Sequence, residues 1–186
     1  MKTLLRILRV VGIAIVGTAL VVIGLAAAGY LGGDQKEPGP YRSEKHNFTI
    51  VPPKSWEQKS YPTTDVVFLC PKGQHSKAFR ENLNVQVETR PVETSLDDYT
   101  QMLSKQLASK FPDYREMSLT DIEMSNIKGK RLVCTYSVGE QQKVHGVYYF
   151  AVKGKTAYLI SCAAHPESFA KVEKTFDECA RTFRVE

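Results

Sequence analysis

Four histidines and four cysteines carry most of the reactive chemistry in this 186-residue chain. His46, His75, His145 and His165 stand far apart. None falls in HExxH or in a Cys/His spacing that binds a metal. Surface and capping roles suit them better. No GxSxG, GxxxxGK[ST] or GxGxxG occurs, so the signatures of serine hydrolases, P-loop nucleotide sites and dinucleotide sites are absent. Cys70 followed by His75 has the residue types of a thiol nucleophile and its base, but the intervening loop leaves their geometry unconstrained. Asp97-Asp98 has the types of a carboxylate pair. Both sit in the first turn of a predicted helix, where the dipole favours negative charge, and a capping role is the stronger reading. No catalytic residue, cofactor or metal is therefore assigned. Lys72, His75, Lys77 and Arg80 form a basic loop able to contact anionic headgroups or an acidic partner. A plain solvated loop is the bland alternative. Asn47-Phe48-Thr49 fits the N-glycosylation pattern.

The elements that must position these residues are legible from periodicity. Residues 46–51 read as a short strand stopped by Pro52-Pro53. Residues 65–70 (DVVFLC) form an apolar strand and 71–80 a polar loop. Asn82 to Thr89 alternates, as a strand with one wet or lightly covered face does. A helix runs from Ser95 to Phe111. Its face is Leu96, Tyr99, Leu103 and Leu107, Ser95 with Asp98 resembles a capping box, and Pro112 ends it. Strands over about 116–124, 129–138, 144–152 and 156–163 follow, with turn residues at Gly139-Glu140 and Lys153-Gly154-Lys155. Connections this short force antiparallel neighbours. Residues 147–152 (VYYFAV) are apolar on both faces, so that strand is covered on both sides. The last helix spans about 166–181, with Phe169, Val172, Phe176 and Ala180 inward and Lys171, Lys174, Asp177 and Arg181 outward. The expected class is α+β: an antiparallel sheet with helices on both faces.

Ahead of this lies an uncharged run from Val10 to Gly33. Crossing a bilayer as a helix takes about 20 apolar residues, so the run is long enough. Lys2, Arg6 and Arg9 precede it and Asp34 follows, which orients the N-terminus to the cytoplasm and exports the rest. An uncleaved signal anchor is favoured. The alternative is a signal peptide cut at Ala26-x-Ala28, before Gly29, leaving a secreted or periplasmic protein. The expected organisation is a basic N-terminus (1–9), a membrane segment (10–33), a linker (34–40) and one domain (41–186). Setting those three residues aside from the 25 basic ones leaves 22 against 20 acids. So even a balance lacks the basic footprint of a nucleic-acid binder, and no nucleic-acid partner is expected.

Cys70, Cys134, Cys162 and Cys179 all lie on the exported side, where disulfides persist. A helix running back along the sheet from Pro166 carries Cys179 roughly 18 Å away from its start, which disfavours Cys162–Cys179. Cys134 and Cys162 sit two strand spacings apart, about 10 Å. Cys134–Cys179 with Cys70–Cys162 is the expected pairing. The alternative is that some or all are free, buried thiols.

Phe48-Thr49-Ile50 with Pro53 and Trp56, the Asn82–Val87 strand (NLNVQV), Ser95–Tyr99 (SLDDY), and the closing Tyr158–Cys162, Phe169, Phe176 and Thr182-Phe183 occur in the order found in PsbP-like domains. Residues 43–186 are similar to that family. The resemblance implies an α/β/α sandwich around an antiparallel sheet. It also implies a binding or assembly role, since family members include extrinsic photosystem subunits, Ran-GTPase-binding proteins and exported bacterial proteins. It carries over no functional residue. The membrane segment and the four cysteines depart from the photosystem subunits. The expected function is a membrane-tethered extracytoplasmic module, without catalytic activity, that binds a protein partner. The alternative is an exported enzyme whose site is assembled from dispersed polar residues.

Overall fold

Proline, left-handed turns and alternating apolar residues divide the described residues into ten strands and two helices. The computed structural model describes residues 39–76, 79–139 and 142–186. In chain order these are β1 (Tyr41–Ser43), β2 (Phe48–Ile50), β3 (Glu57–Lys59), β4 (Val66–Leu69), β5 (Asn82–Thr89), α1 (Leu96–Lys110), β6 (Arg115–Met124), β7 (Ile127–Val138), β8 (Gln142–Lys153), β9 (Thr156–Ala164), α2 (Pro166–Arg181) and β10 (Arg184–Val185). Seven strands form one antiparallel sheet in the order β3-β4-β5-β9-β8-β7-β6, and a small sheet has the order β1-β2-β10.

The period of two along β8 sends Val147, Tyr149 and Ala151 to one face and Tyr148 and Phe150 to the other. Both sets are buried because each face carries a helix. On the first face α2 contributes Val172, Phe176, Cys179 and Ala180, the small sheet adds Phe48, Ile50 and Val185, and Phe183 joins from the link between them. On the second, α1 contributes Tyr99, Leu103 and Leu107 against Leu132, Phe150 and Leu159. Each large apolar side chain taken fully from water stabilises the fold by roughly 1.5–3 kcal/mol. The α+β sandwich with helices on both faces is thus observed.

α1 starts where the sequence predicts. Ser95 Oγ accepts from the Asp98 N–H at 3.0 Å and donates to the Asp98 carboxylate at 2.7 Å. Asp97 and Asp98 are capping, first-turn residues. α2 begins at Pro166, with His165 as its N-cap.

Two local expectations are corrected. The polar face of β5 is not lightly covered: Asn82, Asn84, Gln86 and Glu88 are buried. Asn84 Nδ2 reaches Ser161 O on β9 at 3.1 Å, and Asn82 Nδ2 reaches Arg80 O at 3.2 Å, so amide side chains brace the strand from inside. Asp177 is not simply an outward residue either. It meets Arg131 and Tyr149 on the sheet. Among the described residues no helix is long and apolar enough to cross a membrane. The predicted membrane segment at 10–33 lies outside the described residues.

Candidate functional site

Beyond β2 the backbone cannot continue in a sheet, because Pro52 and Pro53 have no N–H. A turn follows, closed by the Trp56 N–H to Pro53 O at 3.3 Å, with Ser55 left-handed at φ 63°. This turn holds Lys54 in solvent and sends Trp56 inward, edge-on to Phe176 of α2 at 6.0 Å. A second turn has Gln74 N–H to Pro71 O at 3.2 Å and Gly73 at φ 72°. It brings up Gln74 and His75. The third wall is the outer side of α2, with Lys171, Thr175 and Glu178, followed by Thr182. Together they enclose a cleft of about 440 Å³. Val51, 46% exposed, forms its apolar lip. The lip is fixed on both sides: Thr182 Oγ1 accepts from the Val51 N–H at 2.9 Å, and Cys179 Sγ donates to Val51 O at 3.1 Å.

The charge around this cleft is one-sided. Lys54, Lys72 and Lys171 are exposed and form no ion pair among the described residues. Glu178, the one acid in the lining, has Lys174 at 3.6 Å. Of the predicted basic loop, His75 lines the cleft and Lys72 stands on the turn that supplies Gln74. Lys77 lies outside the described residues. Arg80 faces elsewhere. Its Nη2 donates to Glu57 at 2.7 Å and its Nε to Cys70 O at 2.5 Å, closing the β3 edge. Burial works against ionisation of Glu57, but hydrogen bonds from Lys59 and Arg80 hold its carboxyl below the usual range. Lys54 and Lys171 were not singled out by sequence. The available signals were a lysine directly after Pro-Pro, and one followed at i+4 by Thr175 rather than an acid.

The disulfide expectation is overturned. Cys70, Cys134, Cys162 and Cys179 are all free and buried. Cys134 packs in the core under α1 and the other three in the core under α2, so the sheet stands between Cys134 and Cys179. Cys70 follows β4, with its N–H on Glu81 O, and β5 separates it from Cys162. Two strand spacings are about 10 Å, beyond the reach of a disulfide. Burial pushes the Cys70, Cys134 and Cys179 thiols up to about 12.

Other polar clusters lie apart from this cleft. Ser43, His46 and Asp65 meet beside a second cleft of about 490 Å³. They do not form a relay. Ser43 Oγ donates to Asp65 at 3.3 Å, the His46 ring pairs with the same carboxylate, and the His46 backbone N–H donates to Ser43 Oγ. The imidazole is oriented by Asp65 but not aimed at the hydroxyl as a base must be. Val87 N–H also donates to Asp65, so this carboxylate ties β1, β4 and β5 together. His145 packs tilted against Phe169, with ring centroids 4.4 Å apart, and burial lowers its imidazole below the ordinary value. Among the described residues no cluster of three or more His, Cys, Asp or Glu side chains is arranged to hold a metal.

Comparison with known proteins follows the fold. Cyanobacterial PsbP (CyanoP) from Synechocystis sp. PCC 6803 superposes with a TM-score of 0.60 at 17% identity, over 85% of this chain and 98% of that one. LpqN of Mycobacterium tuberculosis, involved in cell envelope biogenesis, gives 0.58 at 8% identity over 81% and 90%. The Saccharomyces cerevisiae Ran-binding protein Mog1p gives 0.57 at 12% identity over 82% and 96%. Identities this low show a shared fold. Among curated proteins nothing matches the sequence. The PsbP family model matches residues 37–185, nearly the whole described domain, and the chain belongs to the PsbP family.

Proposed function

We propose that this protein is a membrane-tethered, extracytoplasmic binding or assembly module without catalytic activity, and that a protein partner docks on the cleft between the Pro52–Trp56 turn, the Pro71–Gln74 turn and α2. The observation that carries the reading is that Lys54 and Lys171 line the cleft, with Lys72 on the adjoining turn, and none of the three has an ion pair among the described residues, beside the apolar lip of Val51. Exposed cations without local counter-charges attract an acidic surface and speed encounter with it. Tethering rests on the uncharged Val10–Gly33 run with Lys2, Arg6 and Arg9 before it, which supports a single pass with the folded domain exported. Structural neighbours described as Ran-binding or as involved in envelope biogenesis support a binding role.

Crosslinking in the native membrane followed by mass spectrometry tests this. Crosslinks from Lys54 and Lys171 to one protein neighbour are expected, and the pair of changes Lys54→Glu and Lys171→Glu should remove them while leaving the fold intact. A C-terminal reporter active in the cytoplasm would refute the topology.

A second reading, an exported enzyme, draws on His46 oriented by Asp65 beside the second cleft. Turnover of a small substrate that is lost in His46→Gln, with no specific neighbour recovered, would put that reading first.

A further inference from the structure

β6 is the far edge of the seven-stranded sheet, and it is unlike the other edge. β3 has only three residues, and its Glu57 pairs with both Lys59 and Arg80. β6 has ten, and the seven from Arg115 to Asp121 are all exposed. Met117 is 61% and Leu119 39% exposed, two large apolar side chains on an uncovered strand. A long edge with free N–H and C=O groups is a template for another strand unless something blunts it.

The blunting device is a bulge, and it is confined to one end. The register jumps at Met117, from Glu116 opposite Cys134 to Ser118 opposite Val133. From Ser118 to Met124 the pairing with β7 is regular. In this stretch Leu119, Asp121 and Glu123 lie opposite Leu132, Lys130 and Lys128. One strand therefore presents an apolar residue and two acids to an apolar residue and two lysines. The outer side of β6 offers the same row to solvent. Asp121 has Lys130 at 2.7 Å, yet its side chain is 85% exposed, and Glu123 is exposed with no ion pair among the described residues. Beside the row a cleft of about 560 Å³ opens against the first turn of α1, adding Leu96 and Asp97.

We propose that the Ser118–Met124 edge of β6 is an interaction surface that takes an extended basic segment of a partner protein as an added antiparallel strand. The segment carries Lys or Arg at two alternate positions and an apolar residue at the next alternate one, repeating the Lys128, Lys130, Leu132 row of β7. Backbone bonds supply affinity and the alternate side chains supply specificity. The charge pattern argues against a second copy of this chain. The longest antiparallel self-pairing of the regular stretch centres on Asp121, setting Asp121 against itself and Leu119 against Glu123. Like charges directly opposite are destabilising.

The test uses the full chain in detergent micelles and a labelled probe peptide of sequence Lys-Thr-Lys-Thr-Leu between neutral flanks. Hydrogen exchange should show new protection within 115–124 and none in the Pro52–Trp56 turn. The double change Asp121→Lys, Glu123→Lys should weaken probe binding about ten-fold or more. A charge-reversed probe, Glu-Thr-Glu-Thr-Leu, should bind that variant and not the wild type. Circular dichroism checks that the variant folds. Equal binding of both probes to the wild type would overturn the proposal, as would protection confined to the lysine-rimmed cleft. So would dimerisation of the chain that protects 115–124. Failure of the cleft proposed above is read separately, from the Lys54 and Lys171 crosslinks.

Discussion

Arg131 of β7 grips α2 through Asp177: its Nε donates to Asp177 Oδ1 at 2.8 Å, and its Nη2 donates to Glu173, one helical turn earlier, at 2.5 Å. Tyr149 OH donates to the same Asp177 oxygen at 2.5 Å. Two carboxylates at i and i+4 thus face one guanidinium fork, which fixes how far α2 can slide along the sheet. Asp177→Ala leaves both Arg131 and Tyr149 without this partner. It should cost about 2 kcal/mol in denaturant unfolding. Arg131→Ala combined with Asp177→Ala should show a coupling of about 1 kcal/mol, and additive costs would mean the contact is incidental.

Glu88 is buried beside Tyr99, with Arg90 Nη1 3.9 Å from its carboxylate and no hydrogen bond to either oxygen among the described residues. Burial raises its pKa above the usual value, with Arg90 and Tyr99 opposing. The folded state therefore holds the proton more tightly than the unfolded one. That contribution to stability is fully present below the unfolded carboxylate value and is lost as pH rises through the folded one. Glu88→Gln should flatten the decline of stability as pH rises above the ordinary carboxylate range, so the variant should gain on the native protein at higher pH. Parallel urea titrations of both proteins measure this, and identical pH slopes would count against it.

Four buried thiols make a second chemical prediction. Native protein should react slowly with iodoacetamide at pH 8, because burial keeps the thiolates scarce. After unfolding without reductant, all four cysteines should alkylate. A bridged peptide in the non-reducing map would contradict the free state, and one joining Cys134 to Cys179 would require the sheet face of Cys134 to be wrong.

Glycine is required at two strand positions for space alone. A Cβ on Gly129 would lie 2.3 Å from the Phe150 carbonyl oxygen, and one on Gly146 would meet Tyr136 Cε1 at 2.7 Å. Gly129→Ala meets backbone that cannot step aside and should destabilise by about 3 kcal/mol. Gly146→Ala meets side chains rather than backbone, the rings of Tyr136 and Tyr148, and should cost less. Thermal unfolding of both, in that order of severity, is the check.

The large elements were legible because each carries its own period. The Leu96, Tyr99, Leu103, Leu107 face and the 147–152 aromatic run report burial directly, and α2 begins and ends where Pro166 and Arg181 place it. β1, β3 and β10 were missed. Two or three residues such as Arg184-Val185 show no period, and they become strands only because β2 or β4 lies alongside. The burial of Asn82 and Asn84 was misread for a related reason. Polarity in a strand normally marks solvent, and only the fold reveals the carbonyls of Ser161 and Arg80 that accept from the two Nδ2 groups. The cleft was half legible. Lys72 and His75 come from one loop that sequence can see, but Lys54 and Lys171 are separated by over a hundred residues and meet through the packing of Trp56 on Phe176. The cysteine pairing failed because sequence does not say which face of a strand looks at which helix.

The strand order also dictates a sequence of assembly. From β6 to β9 every strand pairs with its immediate successor, so that meander can close by local contacts as the chain emerges. β5 has no such option: its second partner is β9, and β2 waits for β10 at the far end of the domain. Everything before α1 thus stays an unfinished edge until the last strands arrive. As the chain emerges from its N-terminal side that edge is exposed first and longest, so closure of the domain waits on its final residues.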